Sequence, residues 1–285
     1  MRAMAIPTVT PTEVLNACIE TISNEDLKRR IYAIQGDLLD SGVNFQTQAA
    51  LARLYLIPPE RHANDEILLG AVTKSEVKAL YTYNLVRTPA GRMHYDALIA
   101  SAPKGVCPLC GAGVAATLDH FLPKGAFPQF SVLPANLVPA CRDCNTGKLT
   151  AFAVNAGEQT LHPYFDRAPY IIDGWLKAEV INSNPVAVRF YTSPPDGWSE
   201  ENKLRIEAHF RAFKLGHKYA VLAASELSSL VGLLANHIGA GGVHEVQRFL
   251  RSCATSESQI HLNSWRSAMF SALADSVWFC EHGYR

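Results

Sequence analysis

Two pairs of cysteines with the Cys-x2-Cys spacing lie near the middle of the chain. They are Cys107/Cys110 and Cys141/Cys144. A two-residue spacer turns both sulfurs of a pair toward one point, so two such pairs can bind one tetrahedral Zn²⁺ ion. Because four thiolates complete the coordination of that ion, we expect a structural zinc site. The alternative, buried or redox cysteines that share this spacing, fits poorly with a polar, turn-rich neighbourhood.

The residues between the two cysteine pairs include side chains that can bind a metal ion or transfer a proton. Residues 115–123 predict a strand that ends at a proline, and neighbours on a strand, here Asp119 and His120, point to opposite faces. One of them can then bind a metal ion while the other transfers a proton, a role that suits a histidine with a pKa near neutrality. After a loop rich in glycine and proline, residues 136–139 predict a return strand and residues 142–152 a helix.

The motifs from residue 107 to residue 148 resemble those of the HNH endonuclease family, in the branch whose third signature residue is asparagine. The matching residues are the four cysteines, Leu118-Asp119-His120-x2-Pro123, Asn136-Leu137 and Asn145-x2-Lys148. The resemblance implies a ββα-metal fold. One departure from the family is visible, because Asn145 stands where histidine is frequent.

The resemblance also implies a role for each polar residue. His120 would be the general base that removes a proton from the attacking water. Asp119 and Asn145 would hold one Mg²⁺ or Mn²⁺ ion, which prefers oxygen ligands. Asn136 would bond across the hairpin and keep the His120 ring oriented, while Lys148 would contact the phosphate. The alternative is a zinc-stapled module that only binds, with Asp119 as a turn or cap residue and His120 as a buried structural histidine.

Composition limits the class of protein. The chain has 285 residues, 48% of them hydrophobic, and a formal net charge of zero, so it is not a generic polyanion binder. No long apolar run and no signal peptide are visible, and we expect a cytoplasmic protein without a membrane partner. The segment 74–148 nevertheless carries eight basic and four acidic residues. Its candidates for contacts with a nucleic-acid backbone are Arg87, Arg92, Lys124 and Arg142, and simple surface charge is the alternative.

The flanking sequences predict mainly helices. We expect an α+β, mainly helical chain in which a central zinc-stapled ββα-metal module, residues 102–155, is embedded in helical regions 1–101 and 156–285. One N-terminal helix is predicted to end at residues 41–42, before another at 45–56, and Thr73-Lys74-Ser75-Glu76 is a capping box. A hairpin around residues 182–184 precedes helices at 200–213, 217–236, 243–252 and 257–279.

These patterns favour a metal-dependent endonuclease that hydrolyses DNA, with RNA not excluded, and that leaves 5′ phosphate and 3′ hydroxyl ends as the resemblance implies. No base-reading motif is visible, so we expect weak sequence specificity or direction by another protein. The layout looks like the nuclease subunits of bacterial anti-phage defence systems such as the Septu-type pairs, in which an ATPase is the partner. A restriction-type or mobile-element nuclease, a nuclease toxin and a non-catalytic zinc module that binds nucleic acid or protein are the alternatives.

Overall fold

The computed structural model describes residues 1–148, 151–238 and 241–284. Within these residues the chain is mainly helical with three two-stranded antiparallel sheets, which confirms the predicted α+β, mainly helical class. The chain forms two compact units, residues 1–166 and residues 167–285. The division into three segments stays a prediction, and the first two of those segments lie within the first unit.

The first unit contains six α-helices and two small sheets among its described residues. The helices are α1 Pro11–Glu20, α2 Glu25–Ala33, α3 Gln35–Ala50, α4 Lys74–Ala79, α5 Pro89–Ala100 and α6 Arg142–Lys148. The strands are β1 Ile67–Leu69, β2 Val72–Thr73, β3 Thr117–His120 and β4 Leu137–Ala140. A π-helical turn, Leu80–Leu85, follows α4 directly.

Short-range hydrogen bonds fix where several of these helices begin. The predicted capping box is present at α4, where Thr73 accepts from the Glu76 amide and the Glu76 carboxylate accepts from the Thr73 amide. The same arrangement starts α1 at Thr10 and Glu13. The side chain of Asn24 caps α2 by accepting from the Leu27 amide.

One hydrophobic core joins the N-terminal helices to the hairpin that carries Asp119 and His120. Leu118 and Leu137, one from each strand of that hairpin, pack in the same buried cluster as residues of α1, α4 and α5. Strand β3 pairs with β4 in antiparallel register, with Asp119 opposite Val138 and His120 opposite Leu137. The helices therefore support the strand from which both polar side chains project.

Three details of the first unit differ from the sequence-based predictions. Helix α3 continues through Gly42, where an added Cβ would lie 3.0 Å from a methyl carbon of Leu133, so the glycine permits close packing instead of ending a helix. The hairpin of β1 and β2 was not predicted. Helix α6 is described over Arg142–Lys148, and residues 149–150 lie outside the described part of the chain. Residues 151–152 are not helical, so the predicted helix over 142–152 is too long.

The second unit contains a hairpin and four α-helices among its described residues. Its elements are β5 Leu176–Ile181, β6 Ala187–Thr192, α7 Glu200–Ala212, α8 Leu215–Leu233, α9 Val243–Ile260 and α10 Trp265–Asp275. Val188 and Phe190 are both buried, and their spacing of two residues along β6 puts them on one face. Helix α9 extends beyond the predicted end at residue 252, because the sequence has no glycine or proline before the Ser264 cap of α10.

One helical stretch, Leu215–Asn236, has the length and the mean hydropathy, 1.3, of a membrane span. The core helix of a water-soluble protein passes the same test. This stretch packs on β6 through Tyr219, whose ring centroid lies 5.6 Å from that of Phe190. In its middle, the Glu226 carboxylate accepts a hydrogen bond of 2.9 Å from Arg266 of α10. The predicted cytoplasmic location stays a prediction.

Candidate functional site

The four cysteines predicted to bind zinc meet at one buried point. Their Sγ atoms all lie within 4.8 Å of one another, and the Sγ atoms of Cys110 and Cys141 are 3.9 Å apart. Four thiolates at these distances repel one another unless a cation neutralises them. The cluster could therefore hold a metal ion such as zinc, which confirms the predicted grouping of the four residues.

The local backbone explains how the first pair reaches the second. The amide of Gly111 donates to the Cys107 carbonyl at 2.8 Å, and Gly111 has a φ of +68°, a conformation that favours glycine. The amide of Gly113 then donates to the Cys110 Sγ at 3.4 Å. An added Cβ at Gly113 would lie 2.8 Å from the Cys141 Cβ. Only glycine therefore allows the turn of residues 107–113 to approach the second cysteine pair this closely.

Asp119 projects from β3 toward α6 and is buried, with 4% of its surface exposed. Its Oδ2 lies 3.4 Å from the Nζ of Lys148, the last residue of α6. Burial raises the pKa of Asp119, and the Lys148 ammonium acts in the opposite direction. Burial likewise lowers the pKa of Lys148, and Asp119 offsets part of that effect. The carboxylate predicted to bind a divalent cation is thus paired with an ammonium group.

Asn145 reaches the same strand from the middle of α6. Its Nδ2 donates to the Thr117 Oγ1 at 3.1 Å and is 3.4 Å from the Leu118 carbonyl oxygen. Thr117 and Asp119 alternate along β3 and share one face. Asn145 and Asp119 therefore lie on the same face of the strand, and the metal site that they were predicted to share stays a prediction.

His120 projects from the other face of β3. Its Nε2 is 2.9 Å from the Ser131 carbonyl oxygen, which can only accept, so Nε2 carries the proton and Nδ1 has the free lone pair. The ring packs against Tyr81, with centroids 4.4 Å apart and planes at 66°. Burial lowers the pKa of His120 to about 3, partly offset by the Ser131 hydrogen bond. The imidazole is accordingly neutral at pH 7.

Asn136 is fully buried and braces the loop between the two strands. Its Oδ1 accepts from the Leu122 amide at 2.7 Å, and its Nδ2 donates to the carbonyls of Leu122, at 3.0 Å, and Phe130, at 3.2 Å. Because Phe130 directly precedes Ser131, these bonds hold the carbonyl that contacts the His120 ring. Asn136 is thus linked to His120 only through the loop backbone, and its orienting and catalytic role stays a prediction.

The four basic candidates for nucleic-acid contacts lie in different surroundings. Arg87 and Arg92 are exposed on either side of the Thr88 turn, and Arg92 is paired with Asp96 at 2.8 Å. Arg142 is exposed at the start of α6. Lys124 alone is linked to the histidine, because its Nζ lies 4.5 Å from the centre of the Tyr81 ring. Lys124 is accordingly the basic candidate that the structure places beside His120.

Sequence reasoning missed three contacts at this site. The apolar spacing of the helix that contains Tyr81 predicts an inward position for that residue, but gives no sign that its partner is His120. The contact with the Ser131 carbonyl has no sequence signature, since every residue has a backbone carbonyl group. Lys148 was assigned to the phosphate, yet its buried ammonium contacts Asp119 and the carbonyls of His120 and Phe121.

Comparison with known proteins places the chain in a family. It is 30% identical over 293 residues to protein ea31 of Escherichia phage lambda, and the alignment covers 97% of this chain and 98% of ea31. The chain belongs to the family of protein ea31. Membership in the ea31 family extends over both units, because the alignment covers almost the whole of each protein. No protein-family model and no solved structure matches the chain.

In this ea31-family chain, Asp119 and Asn145 are the two residues predicted to hold a divalent cation. One carboxylate, Asp119, and one amide, Asn145, lie on the same face of β3, and their oxygens are the ligand type that Mg²⁺ and Mn²⁺ prefer. The Lys148 ammonium beside Asp119 already neutralises this carboxylate. The two donor types match those of a Mg²⁺ or Mn²⁺ site, and binding of such an ion stays a prediction.

Proposed function

We propose that this ea31-family protein is a metal-dependent endonuclease of the HNH type, which hydrolyses phosphodiester bonds in DNA. The observation that carries the proposal is the position of Asp119 and His120 on one hairpin, with Asn145 of α6 docked on the same strand. A buried group of four cysteines lies at the base of this hairpin and helix. Strand, strand and helix in this arrangement support the ββα-metal assignment.

In the proposed reaction, His120 acts as the general base. Its protonated Nε2 is held by the Ser131 carbonyl, which leaves Nδ1 to take a proton from the attacking water. The Tyr81 ring restricts rotation of the imidazole, because it packs edge-on against it. The imidazole is neutral at pH 7, as this role needs, but its pKa of about 3 makes it a weaker base than the near-neutral histidine that the sequence predicts.

Asp119 and Asn145 would hold one Mg²⁺ or Mn²⁺ ion. When bound, such an ion neutralises charge on the phosphate and on the leaving 3′ oxygen. The expected products carry 5′ phosphate and 3′ hydroxyl ends. Zinc would occupy the cysteine cluster, where four thiolates leave no open coordination position, so that metal would stabilise the fold and not take part in cleavage.

Contacts with the nucleic-acid backbone would come from Lys124 beside the histidine and from exposed Arg87, Arg92 and Arg142. Phosphate contacts of this kind fix register without reading sequence, so cleavage would depend weakly on the base sequence. The same chemistry would act on RNA, which belongs in the same assays.

A protein partner such as an ATPase subunit, and a role in anti-phage defence or restriction, are the biological setting that we propose for the nuclease. Because the related protein ea31 is encoded by phage lambda, we include nucleases carried by phage genomes in this proposed setting. Association with a purified ATPase encoded beside the gene tests this part of the proposal. Copurification of the two proteins would support it, whereas cleavage that is unchanged by every neighbouring gene product would contradict it.

The nuclease proposal is tested with supercoiled plasmid and Mg²⁺ or Mn²⁺, with a structured RNA in parallel. We expect nicking by the wild type and none by His120→Ala. The control is His217→Ala, which removes an exposed histidine of α8 and should leave cleavage unchanged. Equal nicking by the wild type and His120→Ala would contradict the assignment of the base.

A zinc-stapled module that only binds nucleic acid or protein is the second candidate. The pairing of buried Asp119 with Lys148 favours it, because the carboxylate is already neutralised without a metal ion. This candidate predicts that the wild type and His120→Ala retain DNA equally on a gel and that neither nicks it. Cleavage by the wild type alone would exclude it.

A further inference from the structure

The ammonium group of Lys148 is an unusual feature of the candidate site, because it is buried at the end of a short helix. Only 8% of the residue is exposed. Its Nζ donates to three oxygens, the Asp119 Oδ2 at 3.4 Å, the His120 carbonyl at 3.2 Å and the Phe121 carbonyl at short range. Three donors meet three acceptors, so the ammonium is fully satisfied without a phosphate.

The carboxylate of Asp119 and the ammonium of Lys148 form a buried ion pair. The side chains of Asp119 and Lys148 are each only 6% exposed, so little water screens the attraction between them. Removing one partner of such a pair leaves an uncompensated buried charge, which is costly. A divalent cation at Asp119 would meet the same ammonium as a nearby like charge.

We propose that Lys148 is the resident counter-cation of Asp119 and that it opposes binding of the divalent cation, so that Lys148 sets the metal affinity of the site. The inference rests on the proposed function, in which Asp119 is a metal ligand. Lys148 is then a positioning residue that acts through Asp119 and the His120 carbonyl. This role differs from the phosphate contact that the HNH resemblance implies.

The roles open to Lys148 differ in the sign of a measurable effect. A counter-cation lowers metal affinity, so its neutral replacement binds the metal more tightly. A residue that only pins α6 to β3 would, when replaced, disorder the site and weaken metal binding. A phosphate ligand would leave metal binding in the absence of nucleic acid unchanged and would affect the KM for DNA.

The test is Mn²⁺ binding to the zinc-loaded protein without nucleic acid, measured by electron paramagnetic resonance and by calorimetry. We expect Lys148→Met to lower the dissociation constant for Mn²⁺ by about tenfold, because one nearby positive charge is lost in a site with little water. Arg142→Met is the matched control, since it removes an exposed charge of the same helix, and its dissociation constant should stay within about twofold of the wild-type value. Asp119→Asn should abolish the gain in the Lys148→Met background.

Unchanged or weaker Mn²⁺ binding by folded Lys148→Met would overturn the inference. If Lys148→Met does not fold, Lys148→Gln keeps an N–H donor for the two carbonyls without the charge, and it must show the same tighter binding. If neither folds, the double variant Asp119→Asn with Lys148→Gln decides, because it removes both charges, keeps a donor for the two carbonyls, and restores folding only if the two residues are a pair. A double variant that also fails to fold would overturn the pairing.

The two proposals can fail separately. Mn²⁺ binding is measured without substrate, so tighter binding by Lys148→Met supports the counter-cation role even if no nucleic acid is cleaved. His120-dependent cleavage together with unchanged Mn²⁺ affinity in Lys148→Met would instead support the nuclease and overturn the role of Lys148.

Discussion

The buried amide of Asn136 is predicted to contribute more to stability than any surface asparagine. Asn136→Ala removes three hydrogen bonds to the backbone of Leu122 and Phe130, and both of these residues are buried, with 3% and 1% of their surface exposed. Water therefore cannot replace the lost partner without opening the loop. A net loss of about 1 kcal/mol per hydrogen bond, with a further penalty for unsatisfied buried groups, gives a total on the order of 3–5 kcal/mol.

Asn24→Ala is the matched control for this prediction. Asn24 caps α2 through one exposed hydrogen bond of 2.9 Å to the Leu27 amide, and loss of such a cap costs about 1 kcal/mol. Equilibrium unfolding in urea, followed by far-ultraviolet circular dichroism at constant zinc, gives both free energies of unfolding. Hydrogen exchange of the Leu122 amide reports the loop directly and should accelerate only in Asn136→Ala.

A loss of 1 kcal/mol or less in Asn136→Ala, equal to that of Asn24→Ala, would refute this reasoning. It would show that the loop finds other partners for the Leu122 and Phe130 backbone groups. All four tryptophans lie in residues 167–285, so tryptophan fluorescence monitors the second unit separately in the same titration.

Two further predictions concern the cysteine cluster and an ion pair between helices. Cys107→Ser should reduce bound zinc from about one ion per chain to none and lower the melting temperature, because metal binding stabilises the folded state; a zinc-free variant that melts with the wild type would contradict this. Glu76 is paired with Arg30 at 2.7 Å, which lowers its pKa from 4.5 to about 2, so the pair should stabilise the fold above pH 4.5 and lose that effect as the pH falls toward 2. The contribution is about 1–2 kcal/mol after allowance for solvent, and Glu76→Gln, which keeps the capping box, should remove this pH dependence in acid unfolding curves.

Several features of the first unit could be predicted from local sequence patterns. The Cys-x2-Cys spacing predicted the cysteine cluster, since a two-residue spacer leaves few directions for the sulfurs. The capping box at Thr73 was also predicted correctly, because its partner Glu76 lies only three residues away. The strand of Asp119 and His120 and its return strand were also predicted, and they pair antiparallel as β3 and β4.

Local sequence patterns did not predict the contacts between residues that are distant in sequence. Gly42 suggested the end of a helix, but α3 continues there because Leu133 packs against it. The Tyr81 ring and the Ser131 carbonyl come to His120 from a preceding helix and a following loop. No periodicity encodes such encounters, since they depend on how the elements pack.

The sequence by itself determined the donor chemistry of this protein: four thiols, one carboxylate, one imidazole and one amide, at spacings that short-range geometry can bring together. Only the tertiary structure decided which charge each group meets. Lys148 pairs with Asp119 because α6 docks on β3 at a depth where water is excluded, and an ammonium and a carboxylate buried there must neutralise each other.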